Sequence, residues 1–88
     1  MAERMASASI RQFLSDLVAI REKGGYTHQD IFLVTKVTPY LIEQFEKGGL
    51  DDHPLFNELY LRAFVRSYAT AVDIPDDVAL DAYENAIR

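Results

Sequence analysis

Apolar residues recur at helical spacing along most of the chain, and no stretch alternates as a half-buried strand would. From Ser9, a candidate N-cap, the residues Ile10, Phe13, Leu14, Leu17 and Ile20 fall on one side of a helix, with Arg11, Gln12, Asp16 and Glu22 on the other. Lys23-Gly24-Gly25 ends it with a cation near the negative end and a glycine for the left-handed position. Thr27 can cap a second helix opening at His28, with the Asp30 carboxylate in its positive first turn. Lys36-Val37 interrupts the pattern. Thr38-Pro39 restarts it, with Thr38 as cap and Pro39 at the first helical position, where its missing N–H costs nothing. Leu41, Ile42 and Phe45 give this third helix its apolar side, and Gly48-Gly49 ends it.

Two short helices across a tight turn form a helix-turn-helix arrangement. Turn-forming residues from Leu50 to Pro54 lead to a fourth helix that starts between Pro54 and Asn57 and reaches Val72. Projected at 100° per residue, Leu61, Phe64, Val65, Tyr68, Ala71 and Val72 make a core stripe, and Glu58, Arg62, Arg66 and Thr70 an opposing polar one. Phe56, Tyr60 and Ala63 lie between the stripes and either pad a neighbouring helix or await a partner. Phe64 and Tyr68 are expected to be buried against Phe13, Leu17 and the last helix. Asp73-Ile74-Pro75 breaks the pattern, and Asp76-Asp77 open a fifth helix with Val78, Ala79, Ala82, Tyr83, Ala86 and Ile87 facing inward. The expected fold is all-α, a compact five-helix domain over residues 9–88 behind a flexible stretch, residues 1–8.

Composition narrows the function. Eighty-eight residues, 49% hydrophobic and 26% charged, suit one soluble domain that buries roughly 60–65% of its unfolded surface. The absence of cysteine excludes disulfides and thiolate metal sites and fits a cytoplasmic setting. No apolar run approaches the roughly 20 residues of a membrane span. Nine Lys and Arg against fourteen Asp and Glu give a net charge of −5, a surface that phosphate backbones repel. Within residues 27–48, Lys36 and Lys47 face Asp30, Glu43 and Glu46, so even the helix-turn-helix is slightly acidic.

Catalytic and cofactor chemistry lack candidates. His28 and His53 fall on different elements and read as solvated polar residues. Asp51-Asp52-His53 brings no further ligands, and Asp76, Asp77, Asp81 and Glu84 read as a capping cluster and solvated face. The paired glycines end helices instead of following a strand, and no nucleophile stands beside a base. No enzyme, metal or cofactor is expected.

The segment REKGGYTHQDIFLVTKVTPYLIEQFEKG resembles the Cro and C1 repressor type of helix-turn-helix, a lambda-repressor-like fold. The following HPLFNELYLRAFVRSYATAVDI resembles the fourth-helix signature of the RodZ-like cell-shape proteins, most specifically in Tyr60, Arg62, Phe64, Arg66, Ser67 and Tyr68. The resemblance covers about Ile10 to Tyr83. It implies a cytoplasmic protein-interaction domain that binds the actin-like filament protein MreB and precedes a membrane span in a longer protein. On that reading the chain is an excised domain, with a stand-alone relative as the alternative. The sequence departs from the pattern at Phe32, where a small residue is usual, at Ala63 in place of Gly, and at His53 in place of Leu. A bulky Phe32 should alter how closely the two short helices pack. In repressor-type domains the positions of Arg21 and Glu46 often form an ion pair, the alternative being two exposed charges. Two function classes follow. In the first, Tyr60 and Phe56, with Lys36 as a charged neighbour, form the MreB-binding surface. In the second, a DNA-binding regulator, Tyr40, Glu43, Gln44 and Lys47 face the major groove and Gln44 reads adenine.

Overall fold

A computed structural model describes residues 2–48 and 57–87, with side chains from residue 10 onward. Five helices follow one another, α1 (Ala2–Lys23), α2 (His28–Thr35), α3 (Pro39–Glu46), α4 (Glu58–Ala71) and α5 (Asp76–Ala86), with no strand among the described residues. The fold is all-α. α4 lies against α2 and α5, while α1 packs on α3 and α5, and α2 on α3.

The helix ends show why the chain breaks where it does. At the end of α1 the Tyr26 N–H donates to the Arg21 carbonyl at 3.0 Å and the Gly25 N–H to that of Glu22 at 3.1 Å, a Schellman closure. It requires the left-handed conformation that Gly25 adopts, with φ 77°. α2 opens on a complete capping box: the Asp30 N–H donates to Thr27 Oγ1 at 3.2 Å, and the Thr27 N–H to Asp30 Oδ2 at 2.8 Å. α3 starts with Pro39 in its first turn. Thr38 holds the cap position with extended backbone, but its hydroxyl makes no cap bond, so the proline alone sets the start. The α4 cap is Asn57, whose Oδ1 accepts the Tyr60 N–H at 2.8 Å. Among the described residues, two left-handed closures use residues other than glycine: Lys36 after α2 and Asp73 after α4 both have φ 63°.

The core gathers from every helix, with Leu17, Ile31, Ile42, Phe45, Phe64, Val65, Tyr68 and Tyr83 among its buried residues. Phe64 and Tyr68 are buried in one core with Phe13, Leu17 and Tyr83; Phe45 of α3 is a ring neighbour of both, at centroid distances of 4.8 and 6.0 Å, the two rings lie 6.1 Å apart, and Phe13 meets Tyr83 of α5 at 5.6 Å. Phe32 packs half-buried against this core, and α2 and α3 stay in contact.

Several expectations need correction. α1 begins at Ala2, so Ser9 lies inside the helix and not at its start; Ala2, Glu3, Arg4 and Met5 are strong helix formers that extend it. Ile20, Val78, Ala82 and Ile87 are exposed, because no helix among the described residues covers them, and Ala71 is only half-buried. Ala69, missed by the stripe, is fully buried. Phe56 and His53 lie outside the described residues.

Candidate functional site

Glu46, the last residue of α3, is the point on which four other segments converge. Its carboxylate, 8% exposed, meets the Arg21 guanidinium of α1, 12% exposed, through Nε at 2.7 Å and Nη2 at 3.2 Å, a forked arrangement. Arg21 Nη1 also donates to the Tyr26 carbonyl at 3.1 Å, which ties the α1–α2 turn into the same cluster. The Tyr68 hydroxyl of α4 donates to Glu46 Oε2 at 2.6 Å. His28 Nε2, at the start of α2, lies 2.9 Å from Oε1, and since a carboxylate only accepts, the histidine is the donor. Burial raises the Glu46 pKa, but the hydrogen bonds from Tyr68, His28 and Arg21, with the Arg21 charge, outweigh it and hold the carboxyl below its ordinary value. For Tyr68, burial and the donated bond to Glu46 act together and push the phenol far up, so it stays a donor. Burial lowers the Arg21 pKa, and Glu46 more than offsets it. This cluster ties α1, α2 and α4 to one carboxylate of α3. His28, expected as a solvated residue, is part of it.

The face of α3 that would enter a DNA groove is poor in free positive charge. Tyr40 is 68% exposed, whereas Glu43 and Gln44 are half-buried. The Lys47 ammonium donates to Glu43 Oε1 at 3.0 Å, one turn back, so the cation offered to a phosphate is already partnered. Lys36 stands exposed at the left-handed corner between α2 and α3.

The first turns of α4 form a different surface. Tyr60 is 43% exposed, and Ala63 is exposed one turn on. Beside Tyr60, Leu59 is 79% exposed, the barest large apolar side chain among the described residues. Sequence reasoning passed over it, although at 100° per residue Leu59 falls about 160° from Leu61, within the polar stripe. On the same outer side Arg62 bridges Glu58 at 3.1 Å and Glu84 of α5 at 3.1 Å, and Arg66 reaches Asp76 at 2.9 Å, so both arginines serve the α4–α5 joint. α2 adds exposed Leu33 and Val34 near its end.

The structure thus brings Arg21, Glu46 and Tyr68 together, buries Phe64 behind them, and leaves Tyr40, Lys36 and Tyr60 at the surface on separate elements. Among the described residues no group of three or more His, Asp or Glu side chains could hold a metal ion, and no helix is long and apolar enough to cross a membrane. A family model described as a helix-turn-helix domain matches residues 16–79, well over half of the chain. No curated protein and no solved structure matches the sequence.

Proposed function

The chain belongs to the helix-turn-helix domain family, and within that family we propose that it is a non-catalytic protein-interaction domain of the RodZ-like kind, docking onto the actin-like filament protein MreB in the cytoplasm. The observation that carries this reading is the apolar surface on the first turns of α4, where Leu59 and Tyr60 face solvent at 79% and 43% exposure. A helix whose only task is to close a core places polar residues there, whereas aromatic and aliphatic side chains on a fixed helix make effective interface anchors. The choice of MreB as partner rests on the resemblance of residues 60–68 to the RodZ-like signature. Tyr60 is the anchor of this surface, with Phe56 and Lys36 as further contacts.

DNA binding, which the family also permits, is disfavoured by charge. A net of −5 and a Lys47 already held by Glu43 leave α3 without the cationic contacts that supply most non-specific affinity. Titration of duplex DNA at 50 and 200 mM salt tests this. A true DNA binder making six or more phosphate contacts loses about 10³-fold or more in affinity over that range. The proposal expects no saturable binding at either salt, and a steep salt slope with Tyr40, Gln44 and Lys47 as its determinants would replace it with the regulator reading.

A further inference from the structure

We infer that the α4 end of the docking surface receives a lysine or arginine side chain of the partner, whose aliphatic stem lies on Leu59 and whose charged head meets Glu58. The inference rests on the docking reading above and adds to it the chemistry of the group received.

Asn57, Glu58, Leu59 and Arg62 line an open depression of about 470 Å³ at the start of α4. That volume exceeds what one long side chain needs. Its composition is mixed in a specific way: one fully presented aliphatic surface, Leu59, beside a carboxylate, Glu58, that is itself largely exposed. A purely apolar partner group would cover Leu59 but strip water from Glu58 with nothing in return. An acidic group would face Glu58 and, beyond it, Glu84. A long cationic side chain satisfies both halves, because lysine and arginine lay their methylene stems along apolar surface while their heads seek charge.

The local charge supports the same choice. Arg62 is shared between Glu58 Oε1 and Glu84 Oε2, so two carboxylates surround one guanidinium and the group is net negative. The Glu58 side chain is 77% exposed despite that bridge, so its carboxylate is accessible to an incoming donor. The chain as a whole, at −5, attracts a basic surface over longer range and steers its approach. The depression is also held in place: the Asn57 cap fixes the first turn, and the Arg62–Glu84 bridge fixes its outer wall against α5.

The test is co-sedimentation of the full chain with purified MreB filaments, comparing the parent with Glu58→Gln, Glu58→Lys and Leu59→Ser, each first shown to melt like the parent. The inference expects Glu58→Gln to weaken binding several-fold, Glu58→Lys and Leu59→Ser by tenfold or more, and the parent's affinity to fall with added salt more steeply than that of Glu58→Gln. If the parent binds and Glu58→Lys and Leu59→Ser bind equally well, the inference is overturned and the docking reading stands. If the parent itself does not sediment with filaments, the docking reading fails first and takes the inference with it.

Discussion

Removing Glu46 tests how tightly the helix-turn-helix is held to the rest of the domain. Glu46→Ala deprives Arg21, 12% exposed, of its carboxylate and at the same time leaves the Tyr68 hydroxyl and His28 Nε2 without their acceptor. Breaking one side of a buried pair costs about 3–5 kcal/mol, because the remaining charge is poorly solvated. For 88 residues the total stability is roughly 4–13 kcal/mol, so this single change removes a large part of it. Arg21→Ala costs less, since Glu46 keeps the Tyr68 and His28 donors. The two losses overlap, and the double variant should be more stable than their sum by about 1–3 kcal/mol. Urea unfolding followed by circular dichroism at pH 7, on the parent, both single variants and the double variant, supplies the four free energies. Additivity within about 0.5 kcal/mol would show that the pair is not coupled and that the cluster does not have the role given to it here.

Further outcomes follow from the same structure. Phe64→Ala empties a site 2% exposed and packed edge-on against Phe45, and should cost about 3–5 kcal/mol; melting close to the parent would contradict that packing. Lys36→Gly relieves a left-handed lysine at φ 63° and should stabilise by about 1 kcal/mol, raising the midpoint by roughly 4–8 °C, while an unchanged or lower midpoint would deny the strain. Because the Glu46 carboxyl sits below its ordinary range when folded, the unfolded chain takes up that proton first on acidification. Its contribution is therefore complete above the unfolded glutamate value of about 4.3 and is lost as pH falls below it through the folded value, so the parent should lose more stability from pH 5 to pH 3 than Glu46→Gln does. Equal losses in urea titrations at the two pH values would remove Glu46 as the cause.

The parts of the fold legible from sequence are those decided by local chemistry. Thr27 and Asp30 three residues apart, Pro39 after Thr38, and Gly25 after a helical run each satisfy or excuse particular backbone groups, and the helix boundaries follow. The left-handed Lys36 carries no such signal, since nothing in a lysine announces positive φ; only the interruption around it does. Periodicity identifies the side of each helix that turns inward but not how far a neighbour extends, so the pattern places Ile20, Val78, Ala82 and Ile87 inward although they stand exposed. The Arg21–Glu46 contact was suggested by resemblance, but His28 and Tyr68 join it through tertiary convergence of α2 and α4, for which no sequence spacing exists. Leu59 is legible in the sequence as an apolar residue at a polar angle, although the aromatic residues beside it carry the stronger signal.

The most direct measurement of the central claim is co-sedimentation of the parent and Tyr60→Ala with MreB filaments. Tyr60 is 43% exposed at the first turn of a capped helix, so its removal should leave the melting temperature nearly unchanged. The account predicts that the folded Tyr60→Ala protein binds filaments at least about tenfold more weakly than the parent, in line with an interface aromatic worth about 2 kcal/mol or more, while Gln44→Ala on α3 binds like the parent. A folded Tyr60→Ala that sediments with filaments as well as the parent would contradict the assignment of this surface to docking.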